Sequence, residues 1–165
     1  MVEFILFIIV AIIVLLSTYT YLKFKSDYNY LKNGMSFKES MDLVNLPVIT
    51  FYQGDNKLHF LLDTGSNNNI INKSVLTNIK SEPINKENTI IGLEGTGIKS
   101  KFVAIEFQYK NTSYEAPFQV VNMDKSFNSI KQETGVTVHG IIGSIFFKKY
   151  KYVLDFDKLI AYSKK

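Results

Sequence analysis

The segment HFLLDTGSNNNII, residues 59–71, places an acidic side chain directly after an apolar, strand-like run. A carboxylate at the end of a buried strand is costly unless it is hydrogen-bonded, paired or neutralised. In the turn that follows, glycine permits a close backbone approach, and the Gly65 N–H and the Ser66 hydroxyl can donate hydrogen bonds to the Asp63 carboxylate. Asp63 is therefore either a satisfied Asx-turn residue or a rigidly held reactive group.

Two neighbouring carboxylates activate water better than a single carboxylate does. A single carboxylate activates water poorly, whereas two held about 3 Å apart share a proton and act together as base and acid. Within this chain, the other acidic triplet of similar form is Glu133-Thr134-Gly135. It follows a polar segment and has Glu in place of Asp, so we interpret it as a fortuitous match to a short motif.

Two glycine-containing stretches accompany LLDTGS further along the chain. The first, IIGLEGTGIK, sets three glycines between two β-prone arms, which predicts a mobile hairpin tip. The second, HGIIGSIFFKKY, sets an apolar pair and a glycine before a short helical segment.

These three motifs, in this order over most of residues 46–163, resemble those of the retropepsin-like (retroviral-type, clan AA) aspartic proteases, in a membrane-anchored form of the bacterial or cellular type. The resemblance implies a small closed β-barrel of the retropepsin or pepsin-like type, all-β apart from one or two short helices. It also implies a role for each motif: Asp63 is catalytic, Thr64, Gly65 and Ser66 support the catalytic loop, Ile91, Gly92, Leu93, Gly95 and Gly97 form a substrate-binding flap, and Ile141, Ile142 and Gly143 back the loop.

The same resemblance implies a symmetric homodimer in which each chain contributes one Asp63. Two carboxylates would activate a water against a peptide bond of an extended polypeptide, with no cofactor and no metal. A non-catalytic peptide-binding or dimerisation domain of the same fold is the alternative. The D-x-G-[ST] pattern also occurs in phosphate loops of actin-like and sugar-kinase ATPases, but those folds need two large lobes that the roughly 140 residues after the anchor cannot supply.

Short β-prone runs separated by turn signals cover the chain beyond Leu46 and predict a small barrel or sandwich. We expect strands over 48–53, 57–63, 69–72, 101–110, 114–123 and 136–143, and a closing hairpin of YVLDF and LIAY. Short helices or turns are expected over 73–80, 126–133 and SIFFKKY. Within the 57–63 strand, His59 alternates with the apolar positions and is predicted to be a surface residue.

The N-terminal segment 4–22 is predicted to be a membrane helix, because its 19 residues carry no charge and about 20 apolar residues span a bilayer core. A cleaved signal peptide fits less well, since Glu3 precedes the run and no small-x-small cleavage pattern follows it. Lys23 and Lys25 favour a cytoplasmic C-terminal side in a single-pass protein. The sequence thus divides into an anchor (1–23), a linker (24–45) with a capping box at Ser36 and Glu39, and the protease-like domain (46–163).

Composition excludes several other classes of function. The chain has no cysteine, which removes disulfides and thiolate metal sites, and its two histidines lack the spacing of a zinc site, so no metal is expected. All nineteen basic residues are lysines and the net charge is only +4, which gives little support to nucleic-acid binding. The basic run KKYK (148–151) fits a solvated helix end better than a contact with anionic lipid.

Overall fold

The computed structural model describes residues 2–91 and 97–164, and the chain divides into two compact units, Met1–Asn33 and Gly34–Lys165. The first unit is a single helix, α1 (Val2–Asn33). Its segment Phe4–Leu22 is long and apolar enough to cross a membrane, a criterion that a signal sequence near the N-terminus also meets. The helix continues over residues 24–33, which the sequence pattern assigns to the linker.

The second unit is built mainly of strands. Its described strands are β1 (Val48–Gln53), β2 (Asn56–Leu62), β3 (Asn69–Asn72), β4 (Glu82–Ile91), β5 (Gly97–Tyr109), β6 (Thr112–Val121), β7 (Gly140–Ile142), β8 (Tyr152–Asp155) and β9 (Ile160–Ser163). Its helices are α2 (Phe37–Val44), α3 (Asp124–Thr134) and α4 (Ser144–Tyr150), and a 3-10 helix covers Lys73–Asn78.

Six of these strands close into a barrel, which confirms the predicted small closed β-barrel. The strands follow one another in the order β1, β2, β7, β3, β6 and β5, and the pairing of Tyr52 with Gln108 joins β5 back to β1. β4 pairs with the outer edge of β5, so the β4–β5 hairpin extends from the barrel. Two neighbouring pairs, β2–β7 and β3–β6, are parallel, which brings segments distant in sequence side by side.

Helix α2 is part of the second unit, so the structure begins this unit at Gly34, before the boundary at residue 46 that the sequence pattern indicates. The predicted capping box is present: Ser36 N donates to Glu39 Oε2 at 2.7 Å and Glu39 N donates to Ser36 Oγ at 3.3 Å. Phe37 is fully buried, and the Ser40 hydroxyl accepts a hydrogen bond from Val48 N. The helix thereby covers the start of β1 and explains why Val48 to Phe51 are buried on both faces of the strand.

Aromatic side chains fill the barrel interior. Phe51, Phe60, Phe107 and Phe146 are almost completely buried, and their rings contact one another at centroid distances between 5.1 and 6.3 Å. Edge-to-face and offset ring pairs of this kind add to the stabilisation from burial alone. This core fixes β1, β2, β5 and α4 relative to one another.

The C-terminal part differs from the sequence expectation in one strand. β7 covers only Gly140–Ile142 of the predicted strand 136–143, although Val136 and Val138 are buried before it. The expected helix over SIFFKKY is α4, and the closing hairpin forms a separate two-stranded sheet of β8 and β9.

Candidate active site

Asp63 lies immediately after β2, at the point where the chain leaves the barrel wall. Its backbone N–H donates to Ile142 O at 3.0 Å, which extends the parallel β2–β7 pairing by one residue. Its carboxylate accepts a hydrogen bond from Gly65 N at 2.9 Å, as the sequence predicts, and is partly exposed. The backbone N–H and the carboxylate Oδ1 of Asp63 are therefore both hydrogen-bonded, and the second carboxylate oxygen remains available.

The loop after Asp63 is stabilised by its own backbone. Ser66 N donates to Asp63 O at 3.3 Å, and Thr64 and Gly65 are exposed to solvent. The sequence predicts that the Ser66 hydroxyl donates to the Asp63 carboxylate. The hydroxyl instead donates to Asn68 O at 2.8 Å and so orders the loop. A turn held this way costs little further ordering when a ligand binds.

The segment around Gly143 supports the loop from behind. Ser144 N donates to Ser66 O at 2.8 Å and Ile145 N donates to Asn67 O at 3.3 Å, so the start of α4 is fastened to the loop. A Cβ atom on Gly143 would lie 2.7 Å from Ser66 O and closer still to Asn68 O. Glycine is required there because the two backbones approach too closely for any side chain.

Asn69 completes this support, and the sequence pattern does not predict this role for it. Its side chain is buried, accepts a hydrogen bond from Gly143 N at 2.9 Å and donates one to Pro117 O at 3.0 Å. One amide thus joins β3, β6 and the end of β7, and it satisfies a buried N–H that would otherwise lack a partner. The asparagine run after the motif hints at polar turn chemistry, but the partners lie far away in sequence.

The predicted flap falls partly outside the described residues. Ile91 and Gly97 pair with each other at the end of the β4–β5 hairpin, as expected for the two arms. Gly92, Leu93 and Gly95 lie outside the part of the chain that the structure describes.

Two histidines pack against each other on the β2–β7 side of the barrel, which contradicts the prediction that His59 is a surface residue. The rings of His59 and His139 are stacked with centroids 5.1 Å apart, and His59 is only 9% exposed. His139 Nδ1 accepts a hydrogen bond from His59 N at 2.9 Å, and His59 Nδ1 lies 2.7 Å from Thr50 Oγ1. Burial lowers the pKa of His59 to about 4, with His139 and Lys57 acting in the same direction, and burial also lowers the pKa of His139.

The second acidic triplet has a structural role in the fold. Gly135 is the left-handed C-cap of α3, with φ 76°, and its N–H donates to Lys131 O at 2.8 Å. The Glu-Thr-Gly sequence is thus a helix end, where glycine is favoured.

Other features of the described residues lie apart from Asp63. A cavity of about 460 Å³ is lined by residues of β1, β5, β6 and α4, including Glu106, Glu115 and Tyr150. Among residues 2–91 and 97–164, no group of three or more His, Cys, Asp or Glu side chains has the arrangement to hold a metal ion.

Comparisons with known proteins give a similarity of structure and none of sequence. No protein-family model matches the chain, and no curated protein matches it. Among solved structures, the chain is similar to "EIAV protease complexed with the inhibitor HBY-793", with 15% sequence identity and a TM-score of 0.47; the match covers 70% of this chain and 97% of that chain.

Proposed function

We propose that this chain is a membrane-anchored aspartic endopeptidase of the retropepsin-like type, active as a symmetric homodimer. The observation that carries the proposal is the way Asp63 is held: a partly exposed carboxylate on a turn fixed by Gly65 N, with β7 and α4 fastened behind it. An inert Asx turn needs no such support from a segment about 80 residues away. Rigid placement of a carboxylate is what acid–base chemistry requires.

The mechanism follows from pairing two such carboxylates across a two-fold axis. One Asp63 accepts a proton from a water as its oxygen attacks the scissile carbonyl carbon, while the other, protonated, donates to the carbonyl oxygen. The tetrahedral intermediate then collapses with proton transfer to the leaving amine, and no covalent enzyme intermediate forms. Thr64, exposed beside the carboxylate, would make hydrogen bonds across the axis.

The substrate would be an extended polypeptide segment. The β4–β5 hairpin extends from the barrel edge, and a peptide lying beneath such a hairpin pairs with it as an added strand. Closure of the β4–β5 hairpin over the peptide would exclude water from the reacting bond. Phe4–Leu22 would hold the enzyme in the membrane as a single span, with Lys23 and Lys25 placing the barrel on the cytoplasmic side.

The test is peptide cleavage by the full chain in lipid nanodiscs, measured with a peptide library in the presence and absence of pepstatin. We expect Asp63→Asn to lower the cleavage rate by at least roughly a hundredfold, the lower range for loss of a general acid–base group. Asp157→Asn is the matched control, because Asp157 is an exposed residue of the β8–β9 turn and the substitution is identical. Equal rates for Asp63→Asn and wild type would refute the catalytic assignment.

A non-catalytic peptide-binding domain is the second candidate function. The same full-length chains in nanodiscs and the same peptide library distinguish it from a protease. It predicts that wild type cleaves no library member yet binds extended peptides, with Asp63→Asn binding them equally well. Cleavage that depends on Asp63 excludes it.

A further inference from the structure

Two adjoining cavities lie where β2 begins, at the opposite end of this strand from Asp63. The larger has a volume of about 440 Å³ and the smaller a volume of about 140 Å³. Both are lined by Ser74, Val75 and His139, so the two cavities meet at these residues and form one groove. This His139 groove runs from the start of β2 across the 3-10 helix to α3.

The hydrogen bonds of His139 determine which of its ring nitrogens carries the proton. His139 Nδ1 accepts a hydrogen bond from His59 N at 2.9 Å, and a backbone N–H can only donate. Burial lowers the pKa of His139, so the ring is neutral at pH 7 and its single proton is on Nε2. His139 Nε2–H is therefore a hydrogen-bond donor in a fixed orientation.

This donor is available to a ligand. Among residues 2–91 and 97–164, no atom accepts a hydrogen bond from His139 Nε2. Within the same part of the chain, the side-chain polar atom that is both fully buried and without a hydrogen-bond partner is Tyr152 Oη. His139 Nε2 is thus reached from solvent, and it is reached through the groove that the ring lines.

The charged side chains of the groove favour an anion. Lys57 lines the larger cavity and Lys131 lines the smaller one, and no acid of the described residues forms an ion pair with Lys131. Among the described lining residues, Asp124 is the one acid. Its Oδ1 already accepts hydrogen bonds from Asn72 Nδ2 at 2.8 Å and Ser74 Oγ at 3.0 Å. The lining therefore has one excess positive charge, which balances a monoanion.

Apolar side chains form the walls on both sides of His139. Val75 and Ile79 line the larger cavity and pack against the barrel core, and Phe127 and Val138 line the smaller cavity. A mostly apolar concave surface with a few polar groups that fix orientation is typical of a small-molecule site. A ligand with its anion at His139 would therefore bury an attached apolar group.

We propose that the His139 groove binds a carboxylate carried on an apolar group, with the carboxylate accepting a hydrogen bond from His139 Nε2–H. Lys57 and Lys131 supply the compensating charge, and the apolar group packs against Val75 and Ile79. A phosphate dianion fits less well, because it carries more charge than the lining balances and the chain has no arginine to bind it by two hydrogen bonds. This inference is independent of the proposed protease function.

Calorimetric titration of the full chain in nanodiscs, with N-acetyl-leucine as the probe, tests the proposal at pH 7. We expect saturable binding after the heat of empty nanodiscs is subtracted. N-acetyl-leucinamide has the same apolar group without the charge, and it should bind at least roughly tenfold more weakly, since hydrogen bonds to charged groups are the stronger ones. Equal binding of the acid and the amide, or tighter binding of inorganic phosphate, would overturn the proposal.

Two variants assign the binding to the groove. His139→Asn removes the Nε2–H donor but keeps a side-chain oxygen that can accept from His59 N, and it should weaken N-acetyl-leucine binding by roughly tenfold or more. Lys131→Gln should weaken it by about two- to fivefold, as expected for an exposed charge. Lys125→Gln is the matched control, because Lys125 is exposed on the same helix outside the groove, and should leave the affinity unchanged.

The outcomes of these variants decide the proposal even if one of them folds poorly. Circular dichroism reports whether His139→Asn is folded. Wild-type affinity in folded His139→Asn would overturn the proposal, and so would equal affinities of Lys131→Gln and Lys125→Gln.

The Asp63→Asn variant separates the groove from the candidate active site. It should bind N-acetyl-leucine with unchanged affinity, whereas loss of binding would place the probe at Asp63 and overturn the inference while leaving the protease proposal intact. A tetrapeptide ending in leucine with a free carboxylate distinguishes the two sources of this ligand chemistry. Tighter binding than that of N-acetyl-leucine assigns the groove to peptide C-termini, and equal or weaker binding assigns it to a free carboxylic acid.

Discussion

At the scale of single residues, Asn69 holds together the segments that position the Asp63 carboxylate. We expect Asn69→Leu to lower the free energy of unfolding by about 1–3 kcal/mol, because Gly143 N would be left buried without a hydrogen-bond acceptor. Urea unfolding measures this change, and the folded fraction should also cleave peptides more slowly. Asn128→Leu, the same substitution at an exposed helix position, should change stability by no more than about 0.5 kcal/mol. Equal effects of the two substitutions would show that the Asn69 bridge is dispensable.

The histidine pair makes stability depend on pH, and the direction follows from the depressed pKa values. In the unfolded chain His59 takes up a proton near pH 6.5, whereas in the folded protein it does so only at about pH 4. The unfolded state therefore binds more protons between these values, and the free energy of unfolding falls as pH falls through this window, by about 1.4 kcal/mol per pH unit for His59. Stability above pH 6.5 is unaffected by this group.

Urea midpoints measured between pH 4 and 7 test this dependence. His59→Gln should flatten the acid side of the profile, even though the substitution also lowers stability at neutral pH by removing a buried ring. A profile with the same slope in wild type and variant would contradict the assignment to His59.

Residues differ in how far the sequence predicts their role. The turn at Asp63 follows from an apolar run ending in Asp-Thr-Gly, a local signal that needs no other part of the chain. The burial of His59 depends on His139, and the role of Asn69 depends on Gly143, each pair being separated by more than 70 residues. Strand periodicity puts His59 on the face opposite its apolar neighbours and therefore predicts that it is exposed. The prediction is wrong because periodicity carries no information on which segment covers that face.

At the scale of elements, β7 is the shortest strand of the barrel, and its last residue, Ile142, accepts the hydrogen bond from Asp63 N. It inserts between β2 and β3, parallel to one and antiparallel to the other. Its apolar character is visible in the sequence, but its length is not, since Val136 and Val138 are buried without belonging to the strand. Pairing partners far apart in sequence decide where such a strand begins.

Close backbone packing at the end of β7 predicts a sensitive glycine. Gly143→Ala should destabilise the protein by about 1–3 kcal/mol, because the new methyl group collides with backbone oxygens of Ser66 and Asn68 that cannot move independently. Gly54→Ala is the matched control: its φ of 58° costs an alanine about 1–2 kcal/mol, but no atom lies within 4 Å of the added Cβ. Both variants should unfold at lower urea, and only Gly143→Ala should lower cleavage by the folded fraction. Normal cleavage by folded Gly143→Ala would show that the loop does not need this support.

At the scale of the whole molecule, the division of the chain at Gly34 assigns α2 to the barrel unit. The capping box at Ser36 and Glu39 predicts the helix from sequence, but not that Phe37 would be buried against the core. Helix amphipathicity over so short a segment fits a spacer as well as a docked element, and the boundary of the unit is set by the tertiary contacts of α2.

The proposed site is also incomplete within one chain, and mixing experiments test this directly. If each active dimer needs two Asp63 carboxylates, adding Asp63→Asn chains to a fixed amount of wild type should lower cleavage, because wild-type chains become trapped in inactive mixed dimers. At equal amounts and random pairing, about half of the wild-type activity should remain, and it should fall further as the variant is added in excess. The anchor segment 1–33 alone, added at the same density in the nanodiscs or vesicles, controls for crowding of the bilayer. Activity that stays constant with any excess of Asp63→Asn would mean that a single chain carries the complete catalytic site, and the homodimer mechanism would have to be abandoned.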